Sequence, residues 1–144
     1  MKKAAIYFSL LLIIASACSK YEEGPAISLR SKEKRLCQKW DLETITKNGV
    51  DISYPGIRYQ WEFHKNGDFT SYFLHDQWGD GHWVSNGQNN SQWKWANDKE
   101  DIEILDFYED ELWFDYQIKQ LKYKEMIFER NDDNDLYRYV FKIE

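Results

Sequence analysis

Residues 57–69 read Ile-Arg-Tyr-Gln-Trp-Glu-Phe-His-Lys-Asn-Gly-Asp-Phe, and this stretch indicates the fold class. From Ile57 to Phe63, apolar or aromatic residues alternate with polar ones, which is the pattern of a strand with one buried face. The alternation predicts that Trp61 and Phe63 point inward while Glu62 faces water. The Lys-Asn-Gly-Asp segment that follows is a strong hairpin signal, so Phe69 is expected to begin a second, antiparallel strand.

The same period-two pattern recurs on both sides of this hairpin. Turn-forming residues separate about eight short apolar–polar segments, and no segment has the period of a helix longer than a turn or two. Closing such a sheet into a barrel removes its exposed edges. We therefore predict an all-β, antiparallel up-and-down barrel with Trp40 plugging one end. The predicted strands lie at residues 39–44, 57–63, 69–74, 92–96, 102–107, 112–121, 123–130 and 136–143, with a further short strand near Trp83.

The first eighteen residues form a separate unit. Lys2 and Lys3 precede an apolar run, residues 4–14, that is too short to cross a bilayer as a stable helix. Ala15-Ser16-Ala17 follows, so residues 1–17 are predicted to be a secretory signal peptide. Cys18 directly after these small residues resembles the lipobox of bacterial lipoproteins, in which the cysteine receives a diacylglyceryl group. The resemblance implies a lipid anchor at Cys18, and cleavage by an ordinary signal peptidase is the alternative.

This reading divides the chain into three parts. After the signal peptide, residues 18–35 are predicted to hold the lipidated cysteine, a polar tether ending near Pro25, and a short helical turn capped by Ser28 or Ser31. Residues 36–144 form the predicted barrel. Cys37 is expected to be a small buried residue, because no His and Asn set with a recognisable spacing supports a nucleophile.

Composition narrows the class of partner. The 144-residue chain has 25 acidic against 19 basic residues, a formal net charge of −6, and loss of the signal peptide removes two of the lysines. An acidic balance argues against nucleic acid and against electrostatic docking on anionic lipid. Aromatic residues make up 17% of the chain, which favours strands because rings pack well on a pleated surface.

Several spaced motifs together resemble the lipocalin-like domain found in small lipoproteins of Gram-negative bacteria. The resemblance covers residues 36–143. It implies a lipocalin-like barrel on an outer-membrane lipoprotein, facing the periplasm or the cell surface, and suggests binding of a small hydrophobic ligand. The motifs are Leu36-x-x-Lys39-Trp40-x-Leu42, Phe63-x-x-Asn66-Gly67-x-Phe69, Trp93-x-Trp95 before Ile102-x-Ile104, Tyr116-x-Ile118-x-x-Leu121 and Tyr139-x-Phe141.

Two functions remain open at this point. A binding protein would hold a small apolar ligand against interior rings, for which Tyr59, Trp61, Trp93 and Tyr116 are the candidates. Alternatively, the rings fill the interior as a core. The protein would then act as an interaction or structural module of the envelope, docking a partner through Trp78 and Trp83 in the polar stretch from His75 to Asn90.

Catalytic and metal-binding patterns are weak. His75, Asp76, Asp80 and His82 lie close together in sequence but match no established ligand spacing, so we predict no metal. The run from Asn131 to Asp135 lacks the glycine and distal glutamate of a helix-loop-helix calcium site, and reads as a hairpin tip. Gly-rich phosphate loops and serine elbows are absent from the sequence. We therefore expect neither enzymatic activity nor a cofactor.

Overall fold

The computed structural model describes residues 30–108 and 112–143. The predicted signal peptide, Cys18 and the tether up to Pro25 lie outside the described residues. Within the described part of the chain, no helix has the length and apolar character needed to cross a membrane.

One short helix precedes nine strands. The helix begins after Ser31, whose hydroxyl accepts a hydrogen bond from the Lys34 backbone N–H at 3.2 Å, so Ser31 is the N-cap, one of the two predicted alternatives. The elements are α1 (Lys32–Leu36), β1 (Lys39–Lys47), β2 (Val50–Asp51), β3 (Ile57–Phe63), β4 (Asp68–Asp76), β5 (Trp83–Ala96), a 3-10 turn (Asn97–Lys99), β6 (Asp101–Leu105), β7 (Trp113–Leu121), β8 (Glu125–Asp132) and β9 (Asp135–Lys142).

The strands close into an antiparallel barrel, which confirms the predicted fold. From β3 to β9 each strand pairs with the next along the chain, and β9 returns to pair with β1 from Asp41↔Lys142 to Lys47↔Tyr137. Strands β1 and β3–β9 form the eight-stranded wall. The two-residue strand β2 was not predicted, and it pairs only with the end of β1, at Thr46 and Lys47.

The predicted hairpin at residues 57–69 is confirmed. Strands β3 and β4 pair without a shift from Ile57↔His75 to Phe63↔Phe69. Gly67 has a φ of +91° in the turn, and a Cβ there would lie 3.4 Å from the carbonyl oxygen of Trp93. The Asn-Gly pair therefore supplies both the left-handed backbone and the close approach of β5.

One end of the barrel is shut by α1 and the first residues of β1; we call it the closed end. Trp40 is fully buried there, and its indole N–H donates to the Leu36 carbonyl oxygen at 2.9 Å. Leu36 and Leu121 are also fully buried. Trp40 thus plugs this end as predicted, since a buried indole N–H needs the acceptor that α1 provides.

Above the closed end, Trp61 lies at the centre of a ring cluster. Its indole packs edge-on against Phe69 at 5.3 Å and Tyr116 at 5.5 Å, and lies 4.9 Å from the Phe141 ring. Glu62 lies on the outer face, where it accepts a hydrogen bond from the Tyr72 hydroxyl at 2.7 Å. The predicted inward and outward faces of β3 are therefore confirmed.

The opposite end, which we call the mouth, carries the β1–β2, β2–β3, β4–β5, β6–β7 and β8–β9 connections. The short strand predicted near Trp83 is the start of β5, which continues through the rest of the polar stretch and pairs with β4 along its upper length. Sequence patterning did not indicate this continuation, since both faces of residues 83–90 are exposed and no apolar alternation marks it. Its other edge meets β6 only from Trp93 to Ala96.

We predict that Trp61→Ala lowers the free energy of unfolding by about 3–5 kcal/mol, because five rings lose their common neighbour. Urea denaturation followed by circular dichroism measures this difference. Trp78→Ala is the matched control: Trp78 is 74% exposed, so its removal is expected to change stability by less than about 0.5 kcal/mol. Equal unfolding midpoints for the two variants would contradict the central position of Trp61.

Candidate functional site

The barrel wall parts between β1 and β3. These strands pair only from Lys39↔Glu62 to Asp41↔Gln60, after which β1 turns away and takes β2 as its partner on that edge. The opening holds a cleft of about 350 Å³, which we call the seam cleft. Its apolar lining comes from Leu42, Ile45, Tyr54, Pro55, Ile57 and Tyr59, and its polar lining includes Glu43 and Ser53.

Residues 51–54 form the outer lip of the seam cleft, and hydrogen bonds hold this lip in place. The Ile45 N–H donates to the Ser53 hydroxyl at 3.0 Å, and the Ile52 N–H donates to the Ile45 carbonyl oxygen at 2.9 Å. Asp51 accepts from the Ser53 N–H at 2.8 Å, and its hydrogen bonds with Ser53 lower the pKa of Asp51. These hydrogen bonds join the lip to β1.

Glu43 and Ser53, in the polar lining of the seam cleft, both have partners within the protein. Glu43 forms an ion pair with Lys142 at 2.6 Å, and Ser53 is held by the lip contacts. The remaining lining is aliphatic or aromatic, so the cleft offers an apolar contact surface more than an acid–base pair.

A smaller hollow of about 270 Å³ lies beside the seam cleft, toward β4 and β5. Tyr59 lines both spaces, and its ring packs edge-on against Phe73 at 5.3 Å. Ser71 and residues 86–89 give this hollow a polar wall. A third groove, of about 610 Å³ beside the β3–β4 turn, is wider but mainly polar, with His64, Lys65 and Asp68 in its lining.

The four predicted ligand-binding residues lie in different surroundings. Tyr59 lines the seam cleft, and Trp61 lies two residues further along the same inward face. Trp93 and Tyr116 are 5% and 6% exposed and belong to the packed core. The structure thus brings Tyr59 to a cleft and places the other three in the ring cluster below it.

Sequence reasoning did not select Leu42, Ile45, Tyr54 or Ile57, the remaining apolar lining. Pro55-Gly56 was the available signal, because such a dipeptide breaks strand pairing and Gly56 has a φ of +80°. The partner exchange of β1 that opens the wall has no sequence signature of its own.

The predicted interaction residues lie at the mouth. Trp78 is 74% exposed in the β4–β5 loop, and Trp83 is 37% exposed at the start of β5. Among the described residues, every exposed large hydrophobic side chain except Tyr123 lies at this end. The set at the mouth is Val50, Tyr54, Trp78, Trp83, Val84, Phe107, Tyr108, Leu112 and Leu136.

Asp76 organises the loop that carries Trp78. Its carboxylate accepts backbone hydrogen bonds from Trp78 at 3.3 Å, Gly79 at 2.8 Å and Gly81 at 3.0 Å. These bonds, that from Gly81 foremost, lower the pKa of Asp76. Asp76 thus acts as a loop cap, and within residues 30–108 and 112–143 no three His, Cys, Asp or Glu side chains are arranged to hold a metal ion.

Comparison with protein-family models and with curated protein sequences gives no match for this chain. The seam cleft and the mouth are the features of this structure that bear on function.

Cys37 lies beside the closed end and is partly buried. Burial, with the Glu33 carboxylate as a smaller influence, raises the pKa of the Cys37 thiol to about 11. The thiol therefore stays protonated at neutral pH, which is unfavourable for a nucleophile.

We predict that Cys37 in a Cys18→Ser protein reacts with iodoacetamide at pH 8 roughly a hundredfold more slowly when native than when unfolded, because only the thiolate reacts. The native rate should keep rising between pH 9 and pH 11, whereas the unfolded rate levels off above about pH 10, because most of an ordinary thiol is ionised there. Mass spectrometry of quenched samples measures both rates. A native rate that levels off together with the unfolded rate would contradict the buried, protonated thiol.

Proposed function

We propose that this protein is a membrane-anchored lipoprotein whose barrel binds a small hydrophobic ligand in the seam cleft. The observation that carries the proposal is the cleft itself: an apolar opening in the barrel wall, formed where β1 leaves β3 and lined by residues of both strands and of the loop between them.

The size and chemistry of the seam cleft fit a small ligand. Its volume of about 350 Å³ lies at the lower end of the usual range for ligand pockets. Aliphatic side chains supply apolar area, and the two tyrosines add flat faces with a polar tip. Because hydrogen bonds hold the lip in place, little ordering free energy is spent on binding.

The anchor in this proposal is the lipid on Cys18, which places the protein in the outer membrane, on the periplasmic side or the cell surface. The chain enters the barrel at the closed end, through α1. Membrane attachment on that side leaves the mouth and the seam cleft open to a ligand.

We predict that Tyr54→Asp weakens binding of the neutral probe N-phenyl-1-naphthylamine by about tenfold, which corresponds to ~1.4 kcal/mol. A carboxylate in the apolar lining must be desolvated when the probe enters, and Tyr54 is 67% exposed, so folding should tolerate the change. Probe fluorescence titrated against protein measures the affinity.

Tyr123→Asp is the control for this experiment. Tyr123 is also an exposed tyrosine, 48% accessible, but it lies at the closed end, between β7 and β8. Its substitution should leave probe affinity unchanged. Equal affinities for the Tyr54 and Tyr123 variants would place the probe elsewhere, and an absence of saturable binding by the natural sequence would refute the proposed function.

We predict that an alkyne analogue of palmitate labels the protein in a Gram-negative host and that Cys18→Ala abolishes the label. Cys37→Ala should not affect it. Labelling that survives Cys18→Ala would show that the anchor is wrong. Plain secretion would instead free Cys18 to pair with Cys37, which a mass change under non-reducing conditions would reveal.

The exposed aromatic residues at the mouth favour a second candidate function, an envelope protein-interaction module. Trp78, Trp83 and Tyr108 are exposed together with the acidic Asp80, a combination suited to a partner with a basic and apolar face. In this case Trp78→Ala and Trp83→Ala would reduce capture of that partner and leave probe binding intact, the reverse of the effect of Tyr54→Asp.

A further inference from the structure

Arg130 places a positive charge on the inner face of the barrel. It lies two residues after Phe128, which is fully buried, and so shares the inward face of β8. Its guanidinium carbon is 3.8 Å from the Phe114 ring centroid and 5.9 Å from that of Tyr116. The side chain is only 17% exposed.

Among the described residues, Arg130 forms its ion pair with a carboxylate that is itself half exposed to water. One guanidinium nitrogen of Arg130 lies 3.0 Å from Asp132, whose own side chain is 52% exposed at the mouth. A hydrogen bond also joins Arg130 to the Tyr116 hydroxyl. A guanidinium presents five N–H donors in a planar fork that suits the two oxygens of one carboxylate, and the contact with Asp132 uses one nitrogen.

Burial and the neighbouring groups shift the pKa of Arg130 in opposite directions. Desolvation, the largest single influence, lowers the pKa of Arg130, but the Tyr116 hydroxyl and Asp132 raise it further, so the net pKa lies above its ordinary value. The charge is therefore retained inside the barrel, where an anion gains more from it than in bulk water.

Strand register relates Arg130 to the seam cleft. Arg130 pairs with Tyr137 on β9, and Tyr137 pairs with Lys47, two residues beyond Ile45 of the cleft lining. Two strand spacings, about 10 Å, and one two-residue step along a strand, about 7 Å, therefore separate Arg130 from Ile45. The Trp61 ring lies between the two, 5.5 Å from Tyr116, the neighbour of Arg130, and 5.7 Å from Tyr139, the partner of Ile45.

We propose that the ligand is an amphiphile with a carboxylate, such as a medium-chain fatty acid. Its apolar chain lies in the seam cleft and over Trp61, and its carboxylate binds Arg130 in place of Asp132. This inference rests on the proposed function, because it assigns a chemical class to the ligand of the same cleft.

The test compares decanoate with 1-decanol, below their aggregation concentrations, by displacement of N-phenyl-1-naphthylamine and by calorimetry. The two share an apolar chain and differ in the head group. We expect decanoate to bind the natural sequence about tenfold or more tightly than decanol, since a charge-assisted pair forms in a poorly solvated site. Arg130→Gln should remove this preference by weakening decanoate and leaving decanol unchanged.

Two further variants keep the test decisive if Arg130→Gln folds poorly. Asp132→Asn removes the internal counter-ion from an exposed hairpin position and should tighten decanoate binding, the opposite direction. Arg138→Gln is the matched control, because Arg138 lies on the outer face of the barrel, where it donates to Glu129 at 2.6 Å. It removes the same charge and should leave both affinities unchanged.

The outcomes separate the two proposals. Loss of the carboxylate preference in Arg130→Gln, or a gain in Asp132→Asn, supports the inference. Equal binding of decanoate and decanol, unchanged by either variant, overturns the inference while the hydrophobic cleft stands. Failure of both compounds and of the probe to bind overturns the proposed function as well.

Discussion

Strand β1 holds the barrel together because it pairs with three other strands. One of its edges runs along β9 and closes the wall, while the other edge is divided between β3 near the closed end and β2 near the mouth. A strand edge has one row of backbone donors and acceptors, so the residues that pair with β2 are lost to β3. Closure of the barrel and the opening of the seam cleft therefore come from the same strand.

Packing is dense near the closed end of the barrel and looser toward the mouth. Near the closed end, Trp40, Phe63 and Phe128 are almost completely excluded from water, and the rings around Trp61 touch edge to face. Above Trp61 the interior residues are only half-buried, and Tyr59 lines two spaces instead of packing fully. The lower core is therefore filled with rings, whereas the interior toward the mouth contains the seam cleft and the smaller hollow.

The mouth combines a charged side chain inside the barrel with exposed aromatic residues around it. A charged arginine lies among rings on the inner wall, and exposed aromatic residues surround the opening. The loop carrying Trp78 is held by three backbone hydrogen bonds to Asp76, which orders it without burying its tryptophan. Both features therefore lie at the same end of the barrel.

Local pattern in the sequence predicted the strands with one buried face, the Asn66-Gly67 turn and the inward direction of Trp61 and Phe63. It could do so because alternation and turn chemistry are properties of neighbouring residues. It also indicated closure, since eight antiparallel strands have edges to remove. The full length of β5 was not predicted beyond a short strand near Trp83, because neither face of residues 83–90 is buried. Strand β2 was not predicted, because two residues carry no period.

Tertiary structure alone decided that Trp93 and Tyr116 belong to the core while Tyr59 lines a cleft, and that Leu42 and Ile57 meet across an opening. The opening depends on where β1 exchanges partners, and hydrogen-bond pairing between strands distant in sequence is not a property of neighbouring residues.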